Sequence, residues 1–129
     1  MKEENKIILY QDDNEITRVS VRFADEDLWL TQNQLADIYQ TSKSNVSEHI
    51  KHIFEDGELD KTVVVRNFRI TTQHGAMEGK TQSRDVAHYN LDMIIALGYR
   101  VQSQVATRFR RWATQRLHEY IQKGFAMDD

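Results

Sequence analysis

A chain of 129 residues without cysteine is enough for one domain with a modest core, and it excludes a disulfide framework or a thiolate metal site. No apolar run is long enough to span a membrane and no basic-then-apolar signal opens the N-terminus, so the expectation is a cytoplasmic protein without a membrane partner. The net charge is −3, but it is polarised: residues 1–60 hold six Lys/Arg against fourteen Asp/Glu (−8), and residues 61–129 hold eleven against six (+5). Such a chain either turns one face toward an anionic partner or carries its charges on an ordinary solvated surface. The absence of proline and the presence of only five glycines argue against long linkers or disorder.

In chain order, Ile7 to Tyr10 is a short apolar run and Asp12-Asp13-Asn14 a turn cluster. Ile16 to Phe23 alternates, with Thr17, Val19, Val21 and Phe23 on one side and Arg18, Ser20 and Arg22 on the other. That pattern predicts a β-hairpin with one buried face. Asp25-Glu26-Asp27 makes a second turn, and Leu28-Trp29-Leu30 reads as a short strand with Trp29 in the core.

From Trp29 to Ile53 the sequence WLTQNQLADIYQTSKSNVSEHIKHI predicts two short helices around a tight turn. Thr31 with Gln34 has the form of a capping box, and Leu35, Ala36, Ile38 and Tyr39 give an apolar stripe. Ser42 is a suitable N-cap for the second helix, in which Val46, Ile50, Ile53 and Phe54 recur at helical spacing. Its other face shows Lys43, Ser44, Asn45, Ser47 and Lys51, short polar and basic side chains of the kind that read base edges in a major groove. An ordinary helical hairpin with a solvated face explains the same periodicity, although such a face more often carries Glu and Lys at i,i+4 spacing. Gln40 stands in the turn where many helix-turn-helix motifs have glycine.

After Gly57, suited to a C-terminal cap, Thr62 to Ile70 reads as strand. Thr71 to Ser83, with Gly75 and Gly79, reads as a loop or hairpin tip, and Asp85 to Asn90 as the return strand. A two-stranded ribbon after a helix-turn-helix has the plan of a wing, from which Arg66, Arg69, Lys80 and Arg84 would reach phosphate. A solvated hairpin is the plainer alternative. Asn90 caps an apolar helix, Leu91 to Leu97, stopped by Gly98. A longer helix runs from Ser103 to about Lys123, with Val101, Val105, Phe109, Trp112, Ala113, Leu117 and Tyr120 on its core side. Arg108, Arg111, Gln115, His118 and Gln122 lie opposite, and Arg116 falls among the apolar residues, either at an edge or paired. The arginines 108, 110, 111 and 116 either face phosphate or balance the acidic half.

The blocks WLTQNQLADIYQTSKSNVSEHIKHIFEDGEL and HYNLDMIIALGYRVQSQVATRFRRWATQRLHEYIQKGF resemble the RhuM family of bacterial virulence-associated proteins, over nearly the whole chain from Ile7 to Phe125. YNLDMIIALGYRV followed by FRRWATQRLHEYI is also similar in plan to the Bro-N and KilA-N type DNA-binding domains of phages and large DNA viruses. The second similarity implies a DNA-binding or phage-antirepressor-like role. Members of the RhuM family are typically longer, which implies that residues 1–129 are the N-terminal domain of a longer protein.

Enzymatic readings find little to work with. Glu48, His49 and His52 share one helix without a third marked metal ligand, and no phosphate loop, nucleophile elbow or carboxylate pair is present. The expectation is a single α+β winged helix-turn-helix domain, with an N-terminal β-hairpin and a long C-terminal helix. It binds double-stranded DNA, as a homodimer, without metal, cofactor or catalysis. The expected contacts are Gln32, Gln34, Ser42, Lys43, Ser44, Asn45, Ser47, Lys51, Arg66, Arg69, Lys80, Arg84, Arg108 and Arg111. The competing expectation is a protein-interaction module that uses the same helical surface for a partner protein.

Overall fold

The computed structural model describes residues 6–11, 17–73, 81–101 and 104–126. The Asp12–Asn14 turn and the ribbon tip with Gly75, Gly79 and Lys80 lie outside them. Strands β1 (Lys6–Gln11), β2 (Arg18–Ala24) and β3 (Asp27–Trp29) form an antiparallel meander in that order. The expected alternation holds: Thr17, Val19, Val21 and Phe23 are buried, while Arg18 and Ser20 are exposed and Arg22 half-buried. Asp25 and Glu26, at φ 55 and 61, make the two-residue turn from β2 to β3, as the twist of a tight hairpin requires.

Helix α1 (Gln32–Tyr39) opens on the capping box: the Gln34 N–H donates to Thr31 Oγ1 at 3.1 Å, and the Thr31 N–H to Gln34 Oε1 at 2.9 Å. It closes on Gln40, which takes the left-handed φ of 54. There the Thr41 N–H donates to the Ala36 carbonyl and the Gln40 N–H to that of Asp37. This is the paired-bond helix ending that usually recruits glycine. Gln40 therefore occupies the glycine position itself. Helix α2 (Lys43–Glu55), capped by the Ser42 side chain, ends in the same pattern at Gly57 (φ 71), with Glu58 bonded to Ile53 and Gly57 to Phe54.

Two expectations change in the second half. Thr62 to Val64 belong not to a strand but to a single helical turn, α3 (Lys61–Val64), because the Asp60 carboxylate accepts from the N–H and the hydroxyl of Thr62. The first ribbon strand, β4 (Val65–Gln73), is shifted toward the tip, the second, β5 (Thr81–Tyr89), is longer than expected, and both extend into the stretch read as loop. Each residue there pairs with one across the ribbon, and Thr71 and Ser83 share a hydroxyl hydrogen bond at 2.8 Å.

Helix α4 (Leu91–Val101) does not stop at Gly98 but continues through it. A Cβ there would sit in ordinary contact with the Tyr39 hydroxyl at 3.4 Å and the Ala106 Cβ at 3.6 Å, so this glycine is a helix-interior position packed beside α1 and α5 and not a helix end. The Tyr39 hydroxyl donates to the Ile94 carbonyl at 2.8 Å, and burial pushes its pKa above the usual phenol value. Helix α5 (Gln104–Ala126) lays Phe109, Ala113 and Trp112 over the inner face of the meander. Tyr10 meets Phe109 and Trp112 edge-on at 4.9 and 5.0 Å, and Phe23 meets Tyr120 at 5.5 Å. Arg116 is paired, with Glu119 at 3.1 Å. No helix among the described residues is long and apolar enough to cross a membrane.

Asp27 ties the meander to α4. Its carboxylate accepts from the N–H groups of Leu28 (2.8 Å) and Leu91 (3.3 Å) and from Asn90 Nδ2 (3.1 Å). Burial pushes its pKa up against the pull of those donors. Asp27→Ala strands three donors and is expected to cost about 1–3 kcal/mol in chemical denaturation. Gln40→Gly is expected to raise stability by about 0.5–1 kcal/mol, the surplus of the left-handed penalty over glycine's added unfolded-state freedom. An unchanged or lower melting midpoint would show that Gln40 holds its conformation without strain.

Candidate nucleic-acid interface

Burial of Val46, Ile50 and Ile53 turns Lys43, Ser44, Asn45, Ser47, Glu48 and Lys51 outward, and all six are exposed. The helix-turn-helix reading singled out five of them; Glu48 is the acidic exception. Gln32, Lys43, Ser44, Ser47, Glu48 and Lys51 line one shallow concavity. Gln32 and Lys43 also line a second, which continues past Asn33 to Arg84, Asp85 and Ala87 on β5. One continuous surface thus runs from the outer face of α2 across the start of α1 to the ribbon edge. The hinge of that surface is Gln32, whose Nε2 donates to the Tyr89 hydroxyl at 2.9 Å.

Some expected contacts are occupied in holding the fold. Gln34 closes the capping box and donates through Nε2 to the Ser20 carbonyl at 2.9 Å. The Ser42 hydroxyl accepts from the Asn45 N–H at 3.0 Å, and Asn45 Nδ2 donates to Thr41 Oγ1 at 2.9 Å. Asn45 keeps its Oδ1 toward solvent chemistry and must exchange the Thr41 bond to present both groups to a base. Arg66 does not extend from the ribbon. It pairs with Asp25 of the acidic turn and stacks on Phe68 (4.6 Å) and Trp29 (5.9 Å). The acidic meander turn thus meets the base of the ribbon.

Arg69 faces Asp85 at 3.7 Å with both side chains exposed, a pair worth little in water. Arg84 is exposed and lines the surface. Lys80 lies outside the described residues. Arg108 is half-buried and engaged, and Arg111 is exposed on α5 beside Thr114, Gln115 and His118. Neither belongs to the lining of the two concavities at α2. Asn33, which sequence reading passed over, lies there because it follows Gln32 in the first turn of α1. That adjacency was the available signal.

Part of the basic half is neutralised within the fold. Arg100 of α4 reaches Asp56 (3.3 Å) and Glu58 (3.1 Å) beyond the end of α2, and these carboxylates hold its pKa above the ordinary guanidinium value. No group of three or more His, Asp or Glu side chains among the described residues is arranged to hold a metal ion.

His88, on the ribbon strand next to this surface, is 3% exposed. A neutral ring with its proton on Nδ1 donates to the Val86 carbonyl at 2.8 Å, and the ring meets Phe68 edge-on at 4.9 Å. Burial pushes its pKa below the ordinary 6.5, the Val86 carbonyl pulls the other way, and the charge of Arg22 pushes it further down.

The domain is a mixed α and β fold in which an exposed polar helix adjoins a two-stranded ribbon. The chain belongs to the Virulence protein RhuM family, whose match spans residues 63–129, just over half of its length. The matched segment takes in the ribbon, α4 and α5 and begins after α2. No curated protein and no solved structure matches the chain.

The unfolded chain binds a proton at His88 more readily than the folded one, so this site's contribution to stability is complete above pH 6.5. It is lost as the pH falls through 6.5 toward the depressed folded value. Thermal melts at pH 7.5 and 5.5 are expected to show a smaller acid-side loss for His88→Gln than for the parent; equal losses would assign the acid sensitivity elsewhere.

Proposed function

We propose that the chain is a winged helix-turn-helix domain that binds double-stranded DNA, as a transcription regulator or a phage-antirepressor-like protein. The observation that carries this reading is the outward face of α2. Ser44, Asn45 and Ser47 are exposed between Lys43 and Lys51, on a surface continuous with Gln32 and with Arg84 of the ribbon. In the proposed mode, α2 enters the major groove with its N-terminal residues at base edges, and the ribbon runs along the backbone. Asn45 would pair with adenine, Ser44 and Ser47 with several acceptors, and Lys43, Lys51 and Arg84 with phosphate or guanine. The domain acts by binding, without catalysis or cofactor, in the cytoplasm.

The cations on this surface are few, and Glu48 and Asp85 stand among them. One module would therefore bind weakly, and a homodimer that spans two half-sites raises the affinity. The same two carboxylates favour a second reading, in which the α2 surface engages a protein partner and duplex DNA is irrelevant.

A fluorescence-anisotropy titration against duplex DNA at two salt concentrations separates the two. Saturable, salt-sensitive binding is expected; no binding at low salt would leave the protein-partner reading. On a selected sequence, Asn45→Ala and Ser44→Ala are expected to reduce discrimination between bases. Lys51→Ala should weaken binding to every sequence and flatten the salt slope by about one unit. If Asn45→Ala leaves the sequence preference untouched, α2 is not the reading helix.

A further inference from the structure

On the side of the meander away from the core, Arg22 of β2 stands between Ile7 and Trp29 in the strand register. Its guanidinium lies 4.7 Å from the centre of the Phe68 ring, and that of Arg66, from β4, lies 4.6 Å from the same centre. Two cations thus share one aromatic ring, beside the buried, neutral-favouring ring of His88. Asp25 pairs with Arg66. Arg22 has no carboxylate partner among the described residues, and its Nε is buried without an acceptor. Two guanidinium groups on one ring against the single carboxylate of Asp25 leave one positive charge in excess, which an anion would balance. The planar guanidinium fork matches an oxygen-rich tetrahedral anion, and stacking on aromatic rings fixes its orientation in advance.

We propose that Arg22 and Arg66, held on Phe68, form a binding site for a phosphate-type oxyanion, either free phosphate or a phosphodiester of a nucleic-acid backbone. In this site the outer guanidinium N–H groups of the two arginines donate to the anion oxygens, and the shielded Arg22 Nε–H reports the binding. Asp25 opposes the anion and sets its affinity. The site lies apart from the α2 surface and does not rest on the reading of α2 as a base-reading helix.

The test is a titration of inorganic phosphate into the full chain, followed by the NMR signal of the Arg22 Nε–Hε pair, with sodium chloride at matched ionic strength as the reference. A saturable shift specific to phosphate is expected. In Arg22→Gln the saturable response of the Arg66 signal is expected to vanish, and in Asp25→Asn the affinity is expected to tighten several-fold. A shift that chloride reproduces, or an Arg66 response that survives Arg22→Gln, overturns the site. Should Arg22→Gln fail to fold, Asp25→Asn decides alone, and unchanged or weaker phosphate binding overturns it.

A duplex arm identifies the source of the anion. If Arg22→Gln lowers the salt slope of duplex binding by about one unit, the anion is a backbone phosphodiester. If duplex binding is unaltered or absent while the phosphate shift persists, it is free phosphate. Failure of the α2 variants to alter duplex recognition leaves this result untouched, so the two readings fail separately.

Discussion

Leu30 and Tyr89 exchange two backbone hydrogen bonds, at 3.0 and 2.7 Å, between segments far apart in the chain. That short antiparallel bridge joins the end of the meander to the end of the ribbon. Two residues past Leu30, Gln32 reaches the hydroxyl of the same Tyr89, and three residues before it Asp27 reaches Asn90 and Leu91. The start of α1, the base of the ribbon and the start of α4 are therefore locked to one point. Because α2 is fixed to α1 by a tight turn, the lock also sets where the outer face of α2 meets the ribbon edge. A shift of one residue in this bridge would turn every side chain of β5 to the opposite face and dissolve that surface.

The two helix endings give that surface its rigidity. Both α1 and α2 close with paired hydrogen bonds around a left-handed residue, Gln40 in the first and Gly57 in the second. The first ending sets the angle at which α2 leaves α1. The second delivers Asp56 and Glu58 to Arg100, which pins the far end of α2 to α4. The helix proposed to read DNA is thus held at both ends by contacts that, the Asn45–Thr41 bond apart, do not draw on its outer face.

Charge polarisation along the chain is partly spent on assembly. Carboxylates of the acidic half meet arginines of the basic half at Asp25–Arg66 and at Asp56 and Glu58 with Arg100. A basic residue count overstates the positive surface for this reason. What remains on the α2 surface is the set Lys43, Lys51 and Arg84 against Glu48 and Asp85, a modest excess that ties any binding to electrostatics sensitive to salt. The family match covers the ribbon, α4 and α5, the part of the molecule that supports this surface from behind and from one side.

Local patterns were readable without coordinates wherever the physics is local. The alternation in β2, the capping box at Thr31, the Ser42 and Asn90 caps and the apolar stripes of α1, α2 and α5 each depend on residues within a turn or two of one another. The outward direction of Lys43, Ser44, Asn45, Ser47 and Lys51 followed from the same periodicity. Gly98 was misread as a stop because glycine near a helix end usually caps it, whereas here the helix continues through it to Val101. Likewise no spacing rule could assign Arg66 to Asp25, Arg22 to the Phe68 ring, or Gln32 to Tyr89. Sequence by itself determined most of the helices and strands, the turn at Thr62–Val64 and the outer part of the ribbon excepted, and which face of each is apolar, since those follow from backbone hydrogen bonding and side-chain period. Tertiary structure decided which polar residues remain available to a partner, because that depends on charges and donors brought together from distant parts of the chain.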